Sequence, residues 1–123
     1  VQVTELLDLC LGLPGAWPDN PCDHEHPVIK VGEAPGAGKI FAFLGAESVG
    51  LKAGRNREVA DEWLARYPED ASVMAYIGRS GWNNLLINGA IPAEELVEAV
   101  EDSYRLVVGA LARKHRPAGW ETV

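Results

Sequence analysis

Positive charge is scarce in this chain, with 11 lysines and arginines against 18 aspartates and glutamates and a formal net charge of −7. A whole-molecule field of that sign opposes attraction to a polyanion, so any contact with nucleic acid has to come from a local basic patch. Long apolar runs are absent as well. No stretch reaches the roughly 18 residues that mark a membrane-spanning helix, and the N-terminus lacks the charged, apolar and small-residue succession of a signal peptide. The expectation is a cytoplasmic protein with no membrane partner. Cysteine occurs twice, at Cys10 and Cys22. The two could be bridged only if the fold brings them together, and free thiols are the expected state in the cytosol. What remains is a chain of 123 residues with 47% of its positions apolar. That fits one domain over 1–123, burying roughly two-thirds of its unfolded surface without metals or cross-links.

Thr4 predicts the N-cap of a helix over 5–12, with Glu5 and Asp8 near its positive end and Leu6, Leu9, Cys10 and Leu13 as its buried stripe. Pro14 and Gly15 end it. The stretch 16–27 is rich in Pro, Asp and Asn, has Trp17 as its large apolar anchor, and reads as an ordered surface loop. Glycine-bounded runs of β-branched and aromatic residues predict strands at 28–32, 38–44 and 48–53. Gly45-Ala46-Glu47 joins the last two and is short enough to impose antiparallel pairing. A helix over 56–67 sets Val59, Trp63, Leu64 and Tyr67 on one side before Pro68 stops it. Two more strands, 73–77 and 83–88, flank a turn at 78–81, and Asn88-Gly89 marks the turn after them. Pro92 suits the first turn of a last helix, where Leu96, Val100, Tyr104, Val107 and Leu111 recur at helical spacing and the carboxylates mostly face water. The sum is an α+β fold in the order α-β3-α-β2-α, an antiparallel sheet with helices packed on it.

Several short pieces recur at family-like intervals: Leu6-Leu7-Asp8 with Leu11 to Gly15, then His26-Pro27-Val28-Ile29-Lys30-Val31-Gly32, then Gly38-Lys39-Ile40-Phe41-Ala42. Leu51-Lys52, Arg66-Tyr67-Pro68, Trp82 and the segment from Pro92 to Val108 follow. In this order they make the chain resemble the MmcQ/YjbR family of small bacterial proteins over almost its full length. The resemblance implies the same order of elements, in a fold likened to secretion chaperones and frataxin-like proteins, and a proposed double-wing mode of DNA binding. The chain departs from the family pattern in two places. Members often carry Lys or Arg with a His just before the tryptophan, whereas here the run is Gly78-Arg79-Ser80-Gly81-Trp82. The residues 33–37 lengthen the hairpin that would form one wing.

The cations that are present cluster. Lys52, Arg55 and Arg57 put three positive charges within six residues, at a strand–helix junction where backbone N–H groups can join them on a phosphate. Lys39, Arg79 and Trp82 add phosphate contacts and a stacking platform for a base if they share that surface. The competing reading is a solvated basic rim over a core Trp82. Cys22, His24 and His26 alternate, so an extended backbone would align them as a partial donor set for zinc or copper. Their spacing matches no finger or zincin motif, and a polar loop leading into a strand accounts for them better.

Gly38-Lys39 imitates a phosphate loop but fails it, because Glu33 and Ile40 stand where glycine and a hydroxyl residue are required and a strand follows. Ser48 imitates a nucleophile elbow, yet it too precedes a strand, in a domain too small for that hydrolase sheet. His115 lies in a basic tail, 113–116, placed to favour the negative end of the last helix or to remain disordered. The chain thus reads as a non-enzymatic binding protein without a cofactor. DNA is the leading ligand, held by Lys39, Lys52, Arg55, Arg57, Arg79 and Trp82; the alternative is a protein-interaction or chaperone-like module.

Overall fold

Gln2, not Thr4, caps the first helix. Helix α1 spans Val3–Leu11, and the Glu5 carboxylate reaches back to accept the Gln2 N–H at 3.0 Å. The residue three places ahead of a glutamate takes the cap in such a box, which leaves Thr4 inside the first turn. The computed structural model describes residues 1–20, 26–33 and 38–123.

The stretch expected to be loop holds a strand. β1, Ala16–Asp19, pairs antiparallel with β2, Val28–Val31, and lies at the edge of a six-stranded sheet. An edge tolerates Pro18, whose missing N–H faces away from a neighbour. Cross-strand contacts hold β1 in place: the Trp17 indole donates to the Gly32 carbonyl at 2.9 Å, and Asp19 pairs with Lys30 at 2.7 Å. The order is therefore α-β4-α-β2-α, one strand more than the sequence pattern indicates, within the antiparallel α+β architecture expected.

β3, Lys39–Leu44, and β4, Ser48–Lys52, form the hairpin across Gly45 to Glu47. Helix α2, Arg57–Arg66, starts where the Asn56 side chain accepts the Val59 N–H at 3.0 Å. β5 is Ala71–Val73, earlier and shorter than the expected 73–77; past it the backbone turns, with Tyr76 at a positive φ of 67°. A 3-10 turn at Gly78–Ser80 leads into β6, Trp82–Leu86, and the sheet runs in the order β1-β2-β3-β4-β6-β5. Helix α3, Ala93–Gly109, follows Pro92 as its cap residue, with Glu94 and Glu95 at its positive end. Among the described residues no helix is long and apolar enough to cross a membrane.

Helix α3 packs over β3 and β4, with the Tyr104 ring edge-on to Phe41 at 5.3 Å. The Tyr104 hydroxyl donates to the Pro14 carbonyl at 2.6 Å, tying α3 to the exit of α1. One contact shapes the surface beside α3. Pairing between β3 and β4 ends at Ala42 opposite Leu51, and the Ser103 hydroxyl takes the following rung. It donates to the Phe41 carbonyl at 2.6 Å and accepts the Lys52 N–H at 2.9 Å. A side chain of α3 thus stands between two strands that have begun to separate.

Candidate functional site

A groove of about 510 Å³ runs beside this split, walled by strand residues on one side and by the last turns of α3 on the other. Ile40, Phe43, Ile77, Trp82, Leu106 and Leu111 supply its apolar surface, and three lysines, Lys30, Lys39 and Lys52, stand around it with no aspartate or glutamate among the described residues of the lining.

Each lysine arrives by a different route. Lys30 sits in β2 between buried Ile29 and Val31, so strand alternation turns it to the opposite face. It is pinned there by Asp19, and its ammonium lies 5.5 Å from the centre of the Trp17 ring. The hydrogen bond from Lys30 holds the Asp19 carboxyl below its ordinary pKa. Lys39 opens β3, exposed and without a partner among the described residues. Lys52 closes β4 directly opposite Trp82 of β6, and its ammonium donates to the Ser80 carbonyl at 2.7 Å. Burial lowers its pKa from the ordinary lysine value. Trp82 is only 9% exposed, and its ring meets Phe43 edge-on at 5.6 Å. It forms a wall of the groove and offers no open face to a stacking base.

The family model described as YjbR matches residues 11–106. The chain belongs to the YjbR family. Its fold is similar to the crystal structure of Deinococcus radiodurans protein DR2400, which carries a DUF419 domain. The TM-score is 0.82 at 25% identity, covering 94% of this chain and 85% of that one. It is also similar to a Pseudomonas syringae protein, at a TM-score of 0.61 and 17% identity over 85% of this chain and 97% of that one, a likeness of fold alone. No curated protein matches the chain.

Of the six residues expected at a nucleic-acid site in this YjbR-family chain, Lys39, Lys52 and Trp82 share the groove, and Arg55, Arg57 and Arg79 do not line it. Arg55 is exposed in a separate recess with Asp102, Arg105 and Val59. Arg79 is exposed on the 3-10 turn beside Ser80, the residue that anchors Lys52. Arg57 is engaged within the fold. Its guanidinium donates to the Gly78 carbonyl at 2.6 Å, to the Trp82 carbonyl at 3.2 Å and to the Asn83 side-chain oxygen, and its Nε donates to Asp61 at 2.7 Å. These bonds lock α2 to the β5–β6 connection. Gly81 completes the lock at a positive φ of 104°, where any Cβ would collide with the Gly54 carbonyl.

Lys30, Leu106 of α3 and Leu111 just past its end are absent from the sequence-derived site. The alternation Ile29-Lys30-Val31 carries the signal for Lys30, but its neighbourhood depends on strand register. β2 and β3 shift between Ile29, opposite Ala42, and Lys30, opposite Ile40, leaving Phe41 as an extra residue.

The remaining motifs resolve quietly. Cys22 and His24 of the candidate metal set lie outside the described residues, as does 34–37 of the lengthened hairpin; among the described residues no group of three His, Cys, Asp or Glu side chains could hold a metal ion. Ser48 opens β4, and its carbonyl accepts the Gly45 N–H at 2.9 Å across the hairpin turn. The basic tail does meet the negative end of α3: Arg116 donates to the Leu111 carbonyl at 2.9 Å and to the Gly109 carbonyl at 2.8 Å. Beside it, His115 Nδ1 stands 4.0 Å from Glu33.

Proposed function

We propose that this YjbR-family protein binds nucleic acid, DNA foremost, along the lysine-flanked groove. One observation supports the reading above others: in a chain of net charge −7, three lysines gather where, among the described residues, no carboxylate lines the surface. Such a local patch is what an acidic molecule needs to hold a phosphate backbone. Lys39 is free to take a phosphate, Lys52 presents an ammonium already oriented by Ser80, and Arg79 extends the positive edge beyond it. On this reading the protein is cytoplasmic, non-enzymatic and cofactor-free, and acts by binding alone. The test is fluorescence anisotropy of labelled single- and double-stranded DNA at low and at near-physiological salt. Salt-sensitive binding supports the proposal; absence of binding at low salt contradicts it.

A second reading rests on a separate feature. Val73 at the end of β5 and Tyr76 and Ile77 on the connection after it are 47%, 99% and 37% exposed, and Ile77 also borders the groove. An apolar tip of this kind fits a protein-interaction or chaperone-like module. A partner protein that protects Tyr76 and Ile77 from solvent, in a chain that ignores DNA, would favour it.

A further inference from the structure

We infer that the groove is also a binding site for a small molecule that carries one carboxylate on an apolar body, of the medium-chain fatty acid type. A nucleic-acid backbone uses the lysines at the edge and leaves the apolar surface between them without a function. Ile40, Ile77, Leu106 and Leu111 together make a concave wall that an aliphatic or aromatic group would cover. Its volume, about 510 Å³, lies in the range of roughly 300–1,000 Å³ usual for small-molecule sites.

Charge fixes the other end of the ligand. The Lys52 ammonium is half-buried at this wall, its hydrogen-bond partner is the uncharged Ser80 carbonyl, and among the described residues no carboxylate lines the space around it. An ammonium has three N–H donors, and a cation kept from water without a counter-charge is destabilised. An incoming anion would relieve both deficits, with exposed Lys39 as a second, solvated cation nearby. The wall beside Lys52 is apolar, so an anion carried on an aliphatic body covers it more fully than a phosphodiester backbone does, and the lysine ammonium takes the carboxylate as a point charge.

This site shares lysines with the proposed nucleic-acid surface but does not depend on it, and its test contains no nucleic acid. The full chain would be titrated with decanoate below its micellar concentration, and separately with decanol, by calorimetry and by amide chemical shifts. The expected result is saturable decanoate binding with shifts centred on Lys52, Ile77 and Leu106, and decanol weaker by roughly tenfold or more, the loss of one charge-assisted contact. Lys52→Met should reduce the decanoate preference by about the same factor. Ile77→Glu changes a residue with 37% exposure, leaves the core intact, and should weaken both ligands. No saturable binding, equal affinity for decanoate and decanol, or shifts elsewhere on the molecule would overturn the inference.

Discussion

A guanidinium that donates to two carbonyls, an amide oxygen and a carboxylate is a fastening of the fold, and Arg57 is such a group. Arg57→Ala leaves the Asn83 side-chain oxygen and the Gly78 and Trp82 carbonyls short of donors, and a charged hydrogen bond is worth about 1.5–3 kcal/mol. The expected outcome is destabilisation on the order of 3 kcal/mol in urea unfolding, with little change in DNA affinity for the folded fraction. Buried acids make a second prediction at this scale. Burial pushes the Cys10 thiol from 9.0 to about 12 and the Tyr104 hydroxyl from 10.0 to about 12. The folded chain therefore holds these protons more tightly than the unfolded chain. Stability contributed by the neutral groups is intact below pH 9 and declines between pH 9 and about pH 12, by up to roughly 1.4 kcal/mol per pH unit for each group. Urea midpoints measured from pH 7 upward should fall above pH 9, and Cys10→Ala should flatten the first part of that fall. A midpoint independent of pH would contradict the assignment.

Among the elements, Ser103 shows how one side chain decides where a sheet opens. Its hydroxyl replaces the strand-to-strand bond that Phe41 and Lys52 would otherwise make. Ser103→Ala leaves that carbonyl and N–H without their partner, at a cost of about 1–3 kcal/mol. Amide exchange at Lys52 should accelerate in this variant, while exchange in β6 away from Trp82 stays slow. The elements that announced themselves in sequence did so through local signals. α2 and α3 follow from Pro68, Pro92 and helical spacing, and the β3–β4 hairpin follows from a short turn. β1 did not announce itself, because Pro18, Asp19 and Asn20 are loop formers and the strand exists through contacts to Gly32 and Lys30, more than ten residues on. The site divides in the same way. Lys39 and Lys52 were visible as cations. Arg57 was equally visible as a cation, but its internal role depends on Gly78, Trp82 and Asn83, which only the fold brings to it.

For the whole molecule, the decisive quantity is how charge is arranged, since the total is acidic and the groove is not. The YjbR family and a neighbour fold at a TM-score of 0.82 account for the architecture. The arrangement of lysines argues for what the surface receives. An acidic field predicts modest affinity that falls steeply with salt, and a lysine patch predicts that the steepness belongs to particular side chains. The most direct test compares the log–log salt dependence of DNA affinity for the wild-type chain and for a Lys39→Gln, Lys52→Met double variant, with folding checked by circular dichroism. The account predicts weaker binding and a slope shallower by about one for each phosphate contact removed. An unchanged slope, with the variant folded, would contradict the groove as the nucleic-acid surface.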